Sequence, residues 1–502
     1  MKLRFKPANL WLFVGIVLVL GCGSLPGFGQ SLLQQGTVVT GLCYGHESNP
    51  GCVLPNLFGS TGLTLAVPAG GFSHYAHFVG AAQTTLNTTL STAIATQLAI
   101  LPIISPASGF TFNYDASAGV YVRSTTSFGP VYSERAETIG RGKFSFGVSY
   151  QRFRFSTLDG INLHNIPAVF SHVPGTGPAG ADEPYEADVI QTTNSLGLNM
   201  DQTLMFATVG VTDHLDLSVA VPISSVRFDA VSVANIDRVS GQYFTLSTTG
   251  QVFPNPHSFA GGSLTNYYAS TPTGSAAGIG DVTFRAKQSV YRGPNVQVSA
   301  AVDVRTPTGN AREYLGSGAV GVKPFVIISA NHRFSPHLNL GYQWNGSSIL
   351  AGNLTGSTIF EQNEQVYITN GPATKSRLPG DLTYSLGADY GVSKLLTLSF
   401  DYLGQTLINA PRVLRDYAQT DNDSGVCNVV SGTTYCGMSS MTLPTISGTK
   451  DTITLSNFAV GLKYNLFHQL LLTADLLFRM DDKGLRQNVT PLIALSYAFG
   501  SK

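Results

Sequence analysis

The chain has 502 residues, with 29 Lys+Arg against 29 Asp+Glu and a net charge of zero. This balance leaves no basic surplus for nucleic acid. The charged fraction of 12% is about half that of an ordinary soluble domain. Gly at 54, Phe at 28 and Tyr at 21 suit strands and turns with an apolar exterior.

The chain opens with Lys2, Arg4 and Lys6 before an apolar run over 10–20. That run is too short to cross a bilayer as a helix, and residues 1–29 read as a signal peptide. A loose lipoprotein match at 19–22, ending in Cys22, is the alternative. Residues 30–140 read as an N-terminal periplasmic or plug segment. Within 78–101, Val79, Ala82, Leu86, Leu90, Ala93, Ile94 and Leu98 recur at helical spacing, and Pro102 ends the run. This helix packs on the periplasmic mouth of a barrel formed by the rest of the chain, or sits inside its lumen. Runs at 110–114 and 120–123 flank turn residues and predict a small hairpin. The segment after it is charged and irregular. Arg123, Glu134, Arg135, Glu137 and Arg141 make it a candidate plug.

From 141 onward, apolar and polar residues alternate with period 2. The clearest pair is 281–290 and 296–305, joined by a tight turn at 291–295. The same pattern predicts strands over 143–156, 202–211, 215–228, 320–330, 338–344, 382–390, 396–404, 453–464, 470–480 and 489–499. Each is close to the ~9–11 residues of a tilted membrane-spanning strand. Short turns alternate with long polar loops. The predicted fold is all-β: a transmembrane, antiparallel, up-and-down barrel over 141–502. It has about twelve strands, or fourteen if the 110–123 hairpin joins. Its helix and hairpin act as cap or plug. The expected place is a bacterial (Gram-negative) outer membrane, reached through the signal peptide. Its partners would be outer-membrane lipid and, during insertion, the barrel-assembly machinery. No nucleic acid is expected.

Strand phase places twelve charges on the lumen side: Asp216, Asp281, Arg285, Lys287, Asp303, Arg305, Lys323, Asp389, Asp401, Lys463, Asp475 and Arg479. A charge on the lipid face near midplane costs ~2–4 kcal/mol, so these must point inward. They brace the wall in pairs or line a permeation path. Arg152 and Arg154 break the pattern, sharing phase with Phe144 to Tyr150. Cys43 with Cys52, and Cys427 with Cys436, are equally spaced pairs and predict two local disulfides. Neither has zinc-site spacing, and no metal is expected. The sequence holds no Gly-x-Ser-x-Gly or His-Glu-x-x-His, so no catalytic set is assigned and no enzyme is expected.

Several motifs resemble one known family. They are 278–282 (GIGDV) opening a strand, 307–309 (PTG) ending the next, 315–318 (LGSG), Gly341-Tyr342 and 211–217 (VTDHLDL). The family is that of outer-membrane barrels named for the meta-cleavage pathway of phenol degradation, loosely similar to long-chain fatty-acid transporters. The resemblance covers roughly 140–500. It implies a porin-like barrel linked to uptake of aromatic compounds. The expected function is therefore passive, cofactor-free transport of small hydrophobic or aromatic solutes. The rival expectation is a structural or surface-interaction barrel that transports nothing.

Overall fold

The structure is a computed structural model. It describes residues 43, 46–59, 63, 65, 81–101, 112–115, 120–123, 127–171, 188–238, 243–245, 252–254, 257–259, 266–355, 357–362, 365–370, 372–419, 427–430, 433–436, 442–467 and 469–499. The signal-peptide reading falls outside them.

Twelve antiparallel strands close into a barrel. They are β1 (Phe144–Phe155), β2 (Val189–Gly210), β3 (Leu215–Asp237), β4 (Thr283–Arg292), β5 (Val296–Arg305) and β6 (Gly321–Ala330). The second half is β7 (Phe334–Asn345), β8 (Gly380–Gly391), β9 (Leu396–Gln419), β10 (Thr442–Phe467), β11 (Leu470–Arg479) and β12 (Val489–Phe499). Each pairs with its neighbour in sequence, and β12 closes on β1 from Leu492↔Gln151 to Phe499↔Phe144. All twelve predicted strands are present. The fourteen-strand alternative is not: Phe112–Asp115 and Val120–Arg123 pair only with each other.

Four strands run far beyond their predicted ends. β2, β3, β9 and β10 have 22, 23, 24 and 26 residues, so much of the expected long loops is strand. The cause is a change of polarity along the wall. In β3, Leu217, Val219, Val221 and Ile223 face out while Asp216, Ser218 and Ser224 are buried within. Past Ser225 the same strand buries Val226, Phe228 and Ala230 and exposes Arg227 and Val231. β1 does likewise, turning Phe153 and Phe155 inward and Arg152 and Arg154 outward. Below the switch the wall suits lipid. Above it the wall suits water, with an apolar interior. Arg152 and Arg154 thus keep the outward phase where the wall faces water, and Arg152 pairs with Asp201 outside at 3.5 Å.

That apolar interior is filled by the N-terminal segment. Helix α1 (Ala81–Leu98) buries Leu86, Leu90, Ala93, Ile94 and Leu98 of the predicted stripe; Val79 and the Ala82 side chain lie outside the described residues. Its uncharged remainder is partly satisfied within the helix, Thr92 and Thr96 hydroxyls donating to carbonyls one turn back at 2.6 and 2.7 Å. Val53, Leu54, Leu57 and Phe58, fully buried, join the same core together with Phe153, Phe155, Leu198, Phe228 and Leu350. Cys43 and Cys52 are disulfide-bonded beside it. All of this lies at the long-loop end. The expectation that the helix caps the short-turn (periplasmic) mouth is thus corrected, because its apolar stripe matches only the apolar upper interior. Cys427 and Cys436 stand opposite each other in the hairpin Cys427–Val430/Thr433–Cys436; the second disulfide concerns side chains outside the described residues.

Candidate functional site

The lower lumen is occupied by residues 127–140, which enter at the short-turn end. Glu134, Arg135 and Glu137 sit here, each buried. Glu134 accepts from Arg285 Nη1 at 2.6 Å and from Lys287 Nζ at 2.9 Å. Arg285 also grips Asp303 with two parallel bonds, Nε to Oδ1 at 2.6 Å and Nη2 to Oδ2 at 2.9 Å. Such bidentate pairs are the strong kind. Lys287 further donates to the carbonyls of Arg135 (3.2 Å) and Glu137 (2.7 Å), with Asp216 at 3.8 Å. Arg135 donates to Glu137 at 3.0 Å and to the Ser127 hydroxyl at 2.8 Å, and Ser127 in turn bonds Asp389.

The backbone of residues 127–140 is held as firmly. The Phe128 amide donates to Thr397 (3.0 Å), Glu134 to Asn339 (2.7 Å), Ala136 to Ser329 (3.0 Å) and Ile139 to Asp216 (3.0 Å). Lys463 Nζ caps the Phe128 and Pro130 carbonyls. Ser133 donates to Asp401 at 2.7 Å, and His337 bridges Asp401 (2.6 Å) and Asp389 (3.5 Å). Buried charges must find partners or their desolvation goes uncompensated. Here wall and plug supply them to each other. Gly461 leaves the room for this approach: a Cβ there would lie 2.9 Å from Val131 of the plug and 2.3 Å from Asp475.

Above the plug and below α1 lies a chamber of about 250 Å³. Its floor is Tyr132 and Glu134, its roof Leu98 to Leu101, and its walls carry Arg285, Asp303, Arg305, Lys323, Asp381 and Gln405 with Met200, Phe325 and Leu403. Lys323 pairs with Asp303 at 3.3 Å and lies over the Phe325 ring at 5.3 Å. Burial pushes the Tyr314 phenol at the roof up to about 12, keeping it neutral.

Residues 205–406 match the family model described as "Putative MetA-pathway of phenol degradation". The family that the motifs resemble is the family that matches. Among solved structures, an outer membrane channel from Pseudomonas putida F1 aligns at 13% identity and TM-score 0.39, covering 73% of this chain and 99% of that one. The P. putida toluene transporter TodX aligns at 9% identity and TM-score 0.29, covering 72% and 90%. A Pseudomonas aeruginosa FadL homologue aligns at 9% and 0.28, covering 71% and 90%. No curated protein matches.

The twelve wall charges fall into three groups. Asp216, Arg285, Lys287, Asp303, Asp389, Asp401 and Lys463 are buried around the plug, with Asp475 behind Gly461. Arg305 and Lys323 line the chamber; Asp281 borders it but mainly anchors a loop, accepting from the Gly309 and Ser317 amides at 3.0 and 2.7 Å. Arg479 stands apart at the long-loop rim, bonded to Asp482 at 2.7 Å. Among the plug candidates, Arg141 is exposed at the rim, its amide donating to Asp213 at 3.1 Å, and is no plug residue. The Arg123 side chain lies outside the described residues. Sequence reasoning missed Asp381 and His337. Asp381 shares the inward phase of the predicted Asp389, and His337 that of Asn339, which bonds the Glu134 backbone, but each lies one residue before its predicted strand.

Proposed function

We propose that the chain is an outer-membrane channel for small solutes, with residues 127–140 as a plug that holds the inner mouth closed. The observation that carries this is the chamber: a space lined by both apolar and charged side chains inside a closed barrel whose lower seal is not part of the wall. Strand ends joined by short turns face the periplasm in this reading, and the long loops face outward. Outward Leu217, Ile223, Leu340 and Ile493 give the wall a lipid-facing band. The solute would be small. A cavity of ~150 Å³ accepts benzene, so 250 Å³ admits a compound of one or two rings. The matching family's description ties it to phenol degradation, which favours aromatic solutes. Passage would be passive. Outer-membrane lipid and the barrel-assembly machinery are the partners this reading requires.

A second reading is a structural or surface-interaction barrel, and the extent of plug–wall ion pairing favours it. The test is uptake by liposomes containing the purified protein, with phenol-sized aromatics compared against sugars. The intact chain is compared with one in which residues 127–139 are replaced by a Gly/Ser linker of equal length. Selective aromatic flux in the intact chain and unselective leakage in the replaced one support the channel. Equal impermeability of both, with the barrel folded, overturns it.

A further inference from the structure

The wall is a closed ring, and every wall strand has two neighbours in it. A segment whose two ends lie inside that ring, one toward each mouth, connects them through the lumen, since the route over a rim and down the outside would put unpaired backbone in lipid. Residues 48–59 and 97–100 are fixed at the long-loop end. The Ser275 amide donates to the Ser48 carbonyl at 3.0 Å, and Tyr268 donates to the Phe58 carbonyl at 2.9 Å. The Leu485 amide bonds Gln97, Arg305 donates to the Ala99 carbonyl at 2.9 Å, and Gln405 to the Ile100 carbonyl at 3.1 Å. Residues 127–142 are fixed at the short-turn end, the Gly142 amide donating to the Gly210 carbonyl at 2.8 Å. β1 then leaves from that same mouth. Gln405 pairs with Thr383, and Asp389 pairs with Ser399. These levels are six residues apart along β8, or about 20 Å at ~3.3 Å per residue. Residues 102–126 exceed that reach several-fold when extended.

We infer that the chain threads its own barrel once. Residues 46–59 and 81–101 then form a lid on the cell surface, tied through the lumen to the plug at the periplasmic mouth. The lid's setting agrees with this. It packs where the wall has already switched to a water-exposed exterior, level with Arg152, Asp201, Arg227 and Asp229. The inference rests on the orientation proposed above, and the test separates the two.

Thr88, exposed on α1, Tyr417, 68% exposed on the β9 extension, and Lys394, in a short turn, are each changed to Cys in the full chain. Intact cells are treated with a membrane-impermeant maleimide, with the unaltered chain as background. Thr88→Cys and Tyr417→Cys should label on intact cells, and Lys394→Cys only after permeabilisation. Protection of Thr88→Cys while Tyr417→Cys labels overturns the threading. Labelling of Lys394→Cys alone on intact cells overturns the orientation instead, and threading then requires Thr88→Cys to stay protected along with Tyr417→Cys. A second measurement guards against a folding defect in Thr88→Cys. Residues 43–101 contain no Lys or Arg, so Glu47→Arg gives the lid its one trypsin site. External trypsin should cut it on intact cells, visible after reduction. Resistance there, with cleavage after permeabilisation, also overturns the proposal.

Discussion

Glu134 is the plug residue whose loss should matter most. Its carboxylate is 2% exposed as a residue and takes both Arg285 and Lys287. In Glu134→Ala, Arg285 keeps its two bonds to Asp303, but Lys287 is left with two carbonyls and Asp216 at 3.8 Å. Removing one member of a buried pair costs about 3–5 kcal/mol, because the other stays buried. That cost falls on the seated plug alone, since a displaced plug lets water reach Lys287. At about 1.4 kcal/mol per factor of ten, the unseated population rises roughly a hundred- to several-thousand-fold. Single-channel recording in planar bilayers reads this as open time. Adding Lys287→Met removes the stranded cation and should close much of the gain. A folded Glu134→Ala barrel with unchanged open time would refute the claim that these pairs hold the plug.

Leu340→Arg, at an outward site 52% exposed in mid-strand, should cost ~2–4 kcal/mol in the membrane; reduced assembly in outer-membrane fractions checks it, and normal assembly would argue against a lipid-facing wall there. Leu90→Ala, fully buried in the lid, should lose about 2–5 kcal/mol and appear as faster proteolysis of the lid with the barrel intact. Gly461→Val should press on Val131 and Asp475 and raise leakage much as Glu134→Ala does. Cys427 and Cys436 should be recovered as one linked peptide in non-reducing mass spectrometry; free thiols in freshly exported protein would remove that bond.

The membrane zone was legible because one rule governs it. Apolar out and polar in, with period 2, locates every strand from β1 to β12 and the phase of their charges. The upper zone obeys the opposite polarity. Leu196, Leu198 and Met200 point inward there, as do Phe153 and Phe155, so a reading with a single polarity begins β2 only at 202 and ends β3 at 228, and misses their extensions beyond the switch. The stripe of α1 was equally plain, but a stripe does not say which apolar surface it meets. The plug's charges could be picked out by composition. Their partners could not, because Glu134 with Arg285, 151 residues apart, is a pairing set by the curvature of the closed sheet.

The change of polarity along the strands also fixes how deep the barrel rides. Sinking by one residue pair, about 6–7 Å of strand at ~3.3 Å per residue, would draw Arg152 and Asp201 toward hydrocarbon. Rising by the same amount would lift outward Val221 and Ile223 into water while stripping lipid from Phe144 and Phe499 at the other rim. Both rims resist at once, so the wall acts as a gauge of bilayer thickness. A membrane thinner or thicker than this band must itself deform, at fractions of a kcal/mol per Å. Reconstitution across a series of acyl-chain lengths should therefore show one preferred thickness.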